Sequence, residues 1–230
     1  MEINHEMIKK MLDVALLRPT TTAAEIEALA TIVRDEAFGQ ICVNTLHVKR
    51  VVEILKGSLS KVIACVSFPM GAVKTDTKIF ETERAIADGA QEIDMVLNLG
   101  AFLGGDLKYA EDDVRAVVRA GGGAPVKVII ETPFLNDKQK VDASLLVQRA
   151  GAAFVKTCTG FSPDPIALFE DIRLIRKTVG PNMGVKASGR VSNYFRFTVM
   201  LEAGANRLGL GLEQAREILR GWEEAHALRH

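Results

Sequence analysis

The chain has 230 residues and a mass of 25.0 kDa, close to the ~250 residues that one α/β barrel requires. Lysine and arginine together number 29, as do aspartate and glutamate, so the net charge is zero and the composition argues against nucleic-acid or membrane partners. Residues 1–13 lack the basic and apolar regions of a signal peptide, and no apolar stretch approaches the ~20 residues of a membrane span, so we expect a cytoplasmic protein.

Short β-branched segments alternate with longer amphipathic segments along the chain, a pattern typical of βα units around a parallel sheet. A leading helix is predicted over residues 4–12. Strands are predicted over residues 13–17, 40–44, 61–68, 91–98, 126–131, 153–157, 184–188 and 206–210. Helices are predicted over residues 22–37, 45–56, 77–88, 107–120, 137–150, 164–179, 192–203 and 212–228. Thr22 and Glu25 form a capping-box sequence at the start of the helix that follows the first strand.

This alternation, without a long linker, indicates an α/β fold in one domain, a closed TIM (β/α)8 barrel over residues 1–230 with a short leading helix. A doubly wound open sheet is the alternative. No G-x-G-x-x-G sequence follows the first strand, however, so the dinucleotide-binding form of that fold lacks its fingerprint.

Three ionisable residues interrupt strands that are otherwise apolar: Asp94, Lys156 and Lys186. In a barrel of this class the chemistry takes place at the carboxyl ends of the strands. The two lysines lie on consecutive strands, so we expect their ammonium groups to converge. Repulsion and burial should then lower the pKa of one lysine.

A neutral lysine amine in a closed pocket is the nucleophile that forms a Schiff base with a carbonyl substrate. This is the chemistry of a class I aldolase, in which Asp94 could move the proton directly or through a water molecule. The alternatives are structural. Either lysine could extend from a strand end to solvent, and Asp94 could form a salt bridge inside the barrel.

Lys127 and Glu131 are spaced to share one face of a strand, and we interpret them as a structural ion pair between layers of the barrel. The three cysteines, Cys42, Cys65 and Cys158, lack the spacing of a zinc site or a disulfide framework, so we expect reduced thiols and no metal. Cysteine catalysis would need a histidine partner. All four histidines lie in predicted helices or near the termini, so cysteine catalysis is not predicted. The four are His5, His47, His226 and His230.

Several motifs, in their order and separation, resemble the deoxyribose-phosphate aldolase family across nearly the whole chain. They are EIDMVLN (92–98), KVIIET (127–132), FVKTCTGF (154–161) and GVKASGR (184–190), with DVALLRP (13–19), ICVN (41–44) and SFPMGA (67–72) as further matches. The resemblance implies a TIM barrel that reversibly cleaves 2-deoxy-D-ribose 5-phosphate to acetaldehyde and D-glyceraldehyde 3-phosphate. It implies Lys156 as the Schiff-base lysine, Lys186 as the lysine that lowers the pKa of Lys156, and Asp94 as the proton relay. It implies no metal or organic cofactor, and a possible homodimer.

The substrate-binding residues expected around these three are Asp13, Cys42, Thr157, Thr159, Gly160, Ser188, Gly189, Arg190, Gly209 and Gly211. The sequence departs from the family pattern at the expected phosphate end. Arg190 stands where the family usually has the second glycine of a pair, and Leu212-Glu213 stands where it tends to have small residues and serines.

We therefore predict an altered phosphate site, in which the Arg190 side chain could bind the phosphate in place of backbone amides. One alternative is a related Schiff-base aldolase with a different, possibly unphosphorylated, aldehyde substrate. Another is a catalytically idle binding barrel, although all three polar positions are present in their full motifs.

Overall fold

The computed structural model describes residues 3–227, in which eight parallel strands close into a barrel in chain order. The strands are β1 (Leu12–Leu16), β2 (Gln40–Asn44), β3 (Lys61–Val66), β4 (Glu92–Val96), β5 (Val126–Ile129), β6 (Phe154–Lys156), β7 (Gly184–Ser188) and β8 (Arg207–Leu210). The helices are α1 (His5–Met11), α2 (Ala23–Asp35), α3 (Val48–Ile54), α4 (Thr75–Ala87), α5 (Leu99–Leu103), α6 (Leu107–Ala120), α7 (Asp137–Arg149), α8 (Phe169–Val179), α9 (Tyr194–Glu202) and α10 (Leu212–Ala227). The predicted TIM barrel with its leading helix is confirmed.

Strand register brings the polar residues of the predicted site to one level of the barrel. Lys156 on β6 pairs with Lys186 on β7. Cys65 on β3 pairs with Asp94 on β4, and β8 closes the barrel against β1. Because the strands are parallel, their carboxyl ends all lie at one rim, where the loops can build a pocket.

The apolar core lies between the barrel wall and the surrounding helices, whereas much of the barrel interior is charged. Alternate residues of each strand face outward into the apolar layer. A smaller apolar cluster of Cys42, Ile63 and Cys65 lies apart from this main core. Within residues 3–227, no helix combines the length and the apolar character needed to cross a membrane.

Helix ends follow the local sequence. The predicted capping box is confirmed, because the Thr22 hydroxyl accepts the Glu25 N–H and the Glu25 carboxylate accepts the Thr22 N–H. Asn136 and Gln139 form a second capping box at α7.

Some predicted boundaries are wrong for identifiable reasons. Helix α8 begins at Phe169 rather than at residue 164, because the Ala167 N–H donates to the Gly189 carbonyl and Leu168 has an extended backbone, with ψ of 141°. Strand β3 ends before Ser67, and β5 ends before Glu131, since both residues adopt left-handed backbone conformations with φ of 54° and 51°. The short helix α5 was not predicted. Residue 228 of the last predicted helix and His230 lie outside the described residues.

A buried ion pair joins α4 and α6 outside the barrel. The Lys78 ammonium contacts the Asp113 carboxylate at 2.6 Å, with both side chains wholly buried. It also donates to the Val96 carbonyl at the end of β4, at 3.0 Å. The pair therefore links two helices to the strand that carries Asp94.

We expect Asp113→Ala to destabilise the fold by about 3–5 kcal/mol, because it leaves the Lys78 ammonium buried without a counter-charge. Lys108→Ala is the matched control, since Lys108 on the same helix forms an exposed pair with Asp112. This control should leave the unfolding midpoint unchanged. Urea unfolding followed by circular dichroism measures both, and equal midpoints for the two variants would contradict a structural role for the buried pair.

Candidate active site

A cavity of about 210 Å³ opens at the carboxyl rim of the barrel. Most of the residues predicted for the site line it: Cys42, Lys156, Thr159, Gly160, Lys186, Ser188, Gly189, Arg190, Gly209 and Gly211. Asp13 and Asp94 do not line the cavity and are wholly buried, in ion pairs with the lysines. Such a cavity suits a small molecule rather than a polymer.

Lys156 and Lys186 converge on one carboxylate oxygen, in agreement with the expectation from their adjacent strands. The Lys156 Nζ lies 2.8 Å from Asp94 Oδ2, and the Lys186 Nζ lies 2.7 Å from the same atom. Lys156 is 2% exposed and the other two are fully buried. A proton can therefore pass between Asp94 and either amine along a single hydrogen bond.

The three residues belong to a larger buried charge network. Lys127 contacts Asp94 Oδ1 at 3.0 Å and Glu92 at 2.6 Å. Lys186 also contacts Asp13, at 2.5 Å. Arg207 on β8 contacts both Asp13 and Glu92. The network thus connects the floor of the cavity with residues near the amino ends of the strands.

The predicted Lys127–Glu131 ion pair is wrong. Glu131 lies beyond the end of β5 in a left-handed conformation, so the alternation of faces that applies within a strand no longer applies to it. Both of its carboxylate oxygens accept the Thr159 N–H, at 3.1 Å. Glu131 therefore holds the loop that follows β6, and Lys127 instead belongs to the network around Asp94.

The network carries an excess of positive charge if every group in it is ionised. Its cations are Lys127, Lys156, Lys186 and Arg207, and its anions are Asp13, Glu92 and Asp94. Loss of one proton would make this buried cluster neutral, which burial favours. Lys156 contacts one carboxylate, whereas each other cation contacts two. Lys156 is therefore the cation that is least strongly held in its charged form.

Lys186 lowers the pKa of Lys156, as predicted, but the expectation that this pKa is lowered overall is wrong for this arrangement. Burial, the largest influence, lowers the pKa of Lys156, and the Lys186 ammonium lowers it as well. The Asp94 carboxylate raises it, and the pKa lies above its ordinary value on balance. The sequence did not reveal that both lysines would share one counter-ion.

The same contacts keep the aspartates ionised. Burial raises the pKa of Asp94, but the Lys127, Lys156 and Lys186 ammonium groups together hold it well below its ordinary value. The pKa of Lys186 is raised, because Asp13 and Asp94 outweigh its burial. At neutral pH Asp94 is therefore a carboxylate that can accept a proton.

Two glycines make room for the lysines and the pocket wall. A Cβ at Gly189, where φ is +118°, would lie 2.5 Å from the Pro165 carbonyl oxygen, so only glycine fits. A Cβ at Gly209 would lie 3.1 Å from Lys186 Cε.

Thr157 was predicted to bind substrate, but its hydroxyl bridges the Ser188 carbonyl and N–H, each at 2.9 Å. It holds the ends of β6 and β7 together.

The rim of the cavity carries two arginines. Arg190 was predicted, and its half-exposed guanidinium contacts Asp164 at 3.4 Å. Arg18 was missed, although it lies within DVALLRP and directly beyond the end of β1, a position that could have identified it. It contacts Glu25 at 3.0 Å. Phe161, also missed, packs edge-to-face on Phe68 with ring centroids 5.4 Å apart.

Several known proteins that resemble this chain belong to one family. No family model matches the sequence. The chain is 48% identical over 202 residues to the deoxyribose-phosphate aldolase of Macrococcus caseolyticus (strain JCSC5402), covering 88% of this chain and 91% of that protein. It is 49% identical over 205 residues to deoxyribose-phosphate aldolase 1 of Bacillus licheniformis, covering 89% and 92%.

Solved structures agree with these relatives. A structure described as QR15, an aldolase, superposes with a TM-score of 0.89 at 33% identity, covering 97% of this chain and 99% of that one. The deoxyribose phosphate aldolase of Aeropyrum pernix, described as a unique tetrameric structure, superposes with a TM-score of 0.86 at 26% identity, covering 96% and 92%. Given this identity over nearly the full length of its relatives, the chain belongs to the deoxyribose-phosphate aldolase family.

Proposed function

We propose that the enzyme reversibly cleaves 2-deoxy-D-ribose 5-phosphate to acetaldehyde and D-glyceraldehyde 3-phosphate through a Schiff base on Lys156. The observation that carries this proposal is the shared contact of Lys156 and Lys186 with Asp94 Oδ2 at the floor of the cavity. An amine and a second cation each lie within hydrogen-bond distance of the same carboxylate, an arrangement that suits an aldol reaction through an iminium.

The reaction begins when the neutral Lys156 amine attacks the substrate aldehyde. Loss of water gives a protonated imine, which withdraws electrons and allows the bond between C2 and C3 to break. The C3 hydroxyl loses its proton as it becomes the aldehyde of glyceraldehyde 3-phosphate. The remaining two-carbon enamine takes up a proton and is hydrolysed to acetaldehyde. Asp94, 2.8 Å from Lys156 Nζ, is placed to move these protons directly or through one water molecule.

Lys186 and Lys127 each support this step in a different way. Lys186 repels the Lys156 ammonium and so favours its neutral form. Once the imine forms, the nitrogen of Lys156 is positively charged again, and Asp94 stabilises that charge. Lys127 binds the other oxygen of Asp94 and helps to keep the carboxylate ionised.

The phosphate end of the substrate would lie at the rim. Arg18 and Arg190 supply positive charge there, and Gly209 and Gly211 leave the backbone open beside the start of α10. Glu213, the acidic residue in the first turn of α10, contacts Arg216 at 3.6 Å. We propose that Arg190 takes over phosphate binding where the family usually has a glycine.

A different aldehyde substrate, without a phosphate, is the second candidate. It is favoured by one observation, that Arg18 and Arg190 each already face a carboxylate, Glu25 and Asp164.

We further propose that the enzyme acts in the cytoplasm and forms a homodimer. Large exposed apolar side chains at its surface, such as Leu59 and Phe195, are compatible with self-association.

We expect Lys156→Leu to abolish aldol cleavage, because Lys186, the other lysine at the cavity, is wholly buried and held by two carboxylates. The variant should still fold, since removing one cation balances the charges of the buried network. Reduction of the wild-type enzyme with borohydride and acetaldehyde should add one ethyl group at Lys156, located by peptide mass mapping. Lys177→Leu, at an exposed position on α8, is the control and should keep full activity. A wild-type enzyme without an adduct would leave the idle binding barrel as the better explanation.

Lys186→Met should lower kcat/KM at neutral pH and shift the pH–rate profile to higher pH. Loss of the neighbouring cation raises the pKa of Lys156, so a smaller fraction of the amine is neutral, by roughly tenfold for each pKa unit. Activity should recover partly as the pH rises toward the new pKa. Turnover equal to wild type at neutral pH, or a profile that keeps its position, would refute this role.

Arg190→Gln should lower kcat/KM for deoxyribose 5-phosphate by roughly 10- to 100-fold, the loss of one charge-assisted contact of ~1.5–3 kcal/mol. Its kcat/KM for unphosphorylated deoxyribose should not change. Arg119→Gln, an exposed change at the distant end of α6, is the control for net charge. If the wild-type enzyme does not prefer the phosphorylated sugar, the second candidate function is correct.

A further inference from the structure

Two buried thiols lie beside the catalytic lysines, and the aldol reaction uses neither as a nucleophile. Cys42 on β2 and Cys65 on β3 are each 1% exposed, and their sulfur atoms are 3.3 Å apart. The register pairs Cys65 with Asn44, two residues beyond Cys42, so both thiols belong to the same face of the sheet. The three cysteines looked unrelated in sequence, and the closed barrel brings two of them into contact.

Each thiol borders a different cavity. Cys42 lines the cavity that contains Lys156 and Lys186. Cys65 lines a neighbouring cavity of about 430 Å³, and both cavities are also lined by Leu17 and Phe161. A reagent of the size of water can therefore approach the pair although neither residue is exposed at the surface.

The two thiols differ in acidity. A hydrogen bond with Cys65 lowers the pKa of Cys42, with help from Lys186 and Lys156, against burial and Asp94, which raise it. The same hydrogen bond and burial raise the pKa of Cys65 well above its ordinary value. Cys42 is therefore the thiol that ionises first and reacts first, and Cys65 remains protonated beside it.

Metal binding does not explain the pair as well as oxidation does. Cys42, Cys65 and Asp94 place possible ligand atoms within 4.8 Å of one another. Asp94, however, already contacts the ammonium groups of three lysines. A divalent cation would add positive charge to a cluster that already carries an excess, whereas oxidation of two thiols to a disulfide adds no charge.

We propose that Cys42 and Cys65 form an oxidisable dithiol, and that a hydroperoxide converts it to a disulfide in the wall of the active site. The Cys42 thiolate attacks one peroxide oxygen, the O–O bond breaks, and the other oxygen leaves as water after protonation. The Cys65 thiol then attacks the resulting sulfenic acid, and a second water leaves. With hydrogen peroxide, two thiols and one peroxide give one disulfide and two waters, and two electrons pass from sulfur to oxygen.

Disulfide formation would disturb the active site reversibly. The sulfur atoms must approach by about 1.2 Å to reach the bonded distance of ~2.05 Å. Exchange with an external thiol would break the bond again and restore both thiols. Closure also withdraws the Cys42 sulfur from its 3.9 Å contact with Asp94 Oδ2 and from the cavity wall.

The test is peptide mass mapping of the wild-type protein after exposure to hydrogen peroxide. We expect the protein to lose the mass of two hydrogen atoms and to yield a linked pair of peptides containing Cys42 and Cys65. Most of the aldolase activity should be lost and should return after treatment with dithiothreitol. The mass measurement does not depend on the identity of the substrate, so a failure of the proposed function would not affect it.

Cys65→Ser and Cys158→Ser separate the pair from general thiol oxidation. After peroxide, Cys65→Ser should show oxygen added at Cys42 and no loss of two hydrogens. Cys158→Ser should behave like wild type, since the Cys158 sulfur contacts the Ser188 carbonyl instead. If wild type remains unmodified or only gains oxygen, or if Cys65→Ser still loses two hydrogens, the proposal is wrong. The wild-type map decides the question even if a variant fails to fold.

Discussion

The contact of Asp94 with three lysines is the interaction on which the rest of the structure depends. Lys127, Lys156 and Lys186 come from three consecutive strands, and each reaches the same carboxylate within about 3 Å. One buried anion thereby holds the proposed lysine nucleophile, the cation beside it and a further cation below them. An ordinary apolar barrel interior would hold none of these groups in place, because an uncompensated buried charge is too costly.

The chemistry of the site explains the buried charge network better than the stability of the fold does. Replacing a buried ionic network with well-packed apolar residues is often neutral or stabilising, so stability alone gives little reason to keep it. The network is instead arranged unevenly. Lys156 contacts fewer carboxylates than the other cations, and it borders the cavity together with Lys186. The uneven distribution of carboxylates selects which amine can lose its proton.

The thiol pair and the two arginines at the rim are parts of the site that lie outside the ion pairs of the buried network. Both lie around the lysines rather than among them. Arg190 occupies a left-handed backbone conformation, with φ of 49°, at a position where glycine would be unstrained. Cys65 adds a second sulfur beside Cys42. Neither feature belongs to the ion pairs of Asp94 with the lysines, so we expect changes there to affect substrate choice and regulation while the amines remain in place.

The sequence by itself determined the barrel, because the alternation of strand and helix patterns is local, and it identified Asp94, Lys156 and Lys186 because a charge in an apolar strand is conspicuous. It could not determine which charges meet. The pairing of Lys127 with Asp94 instead of Glu131, the raised pKa of Lys156 and the contact of Cys42 with Cys65 depend on residues that are far apart in the chain. Only closure of the barrel decided them, because electrostatic energies and sulfur chemistry depend on distances in space that strand register sets.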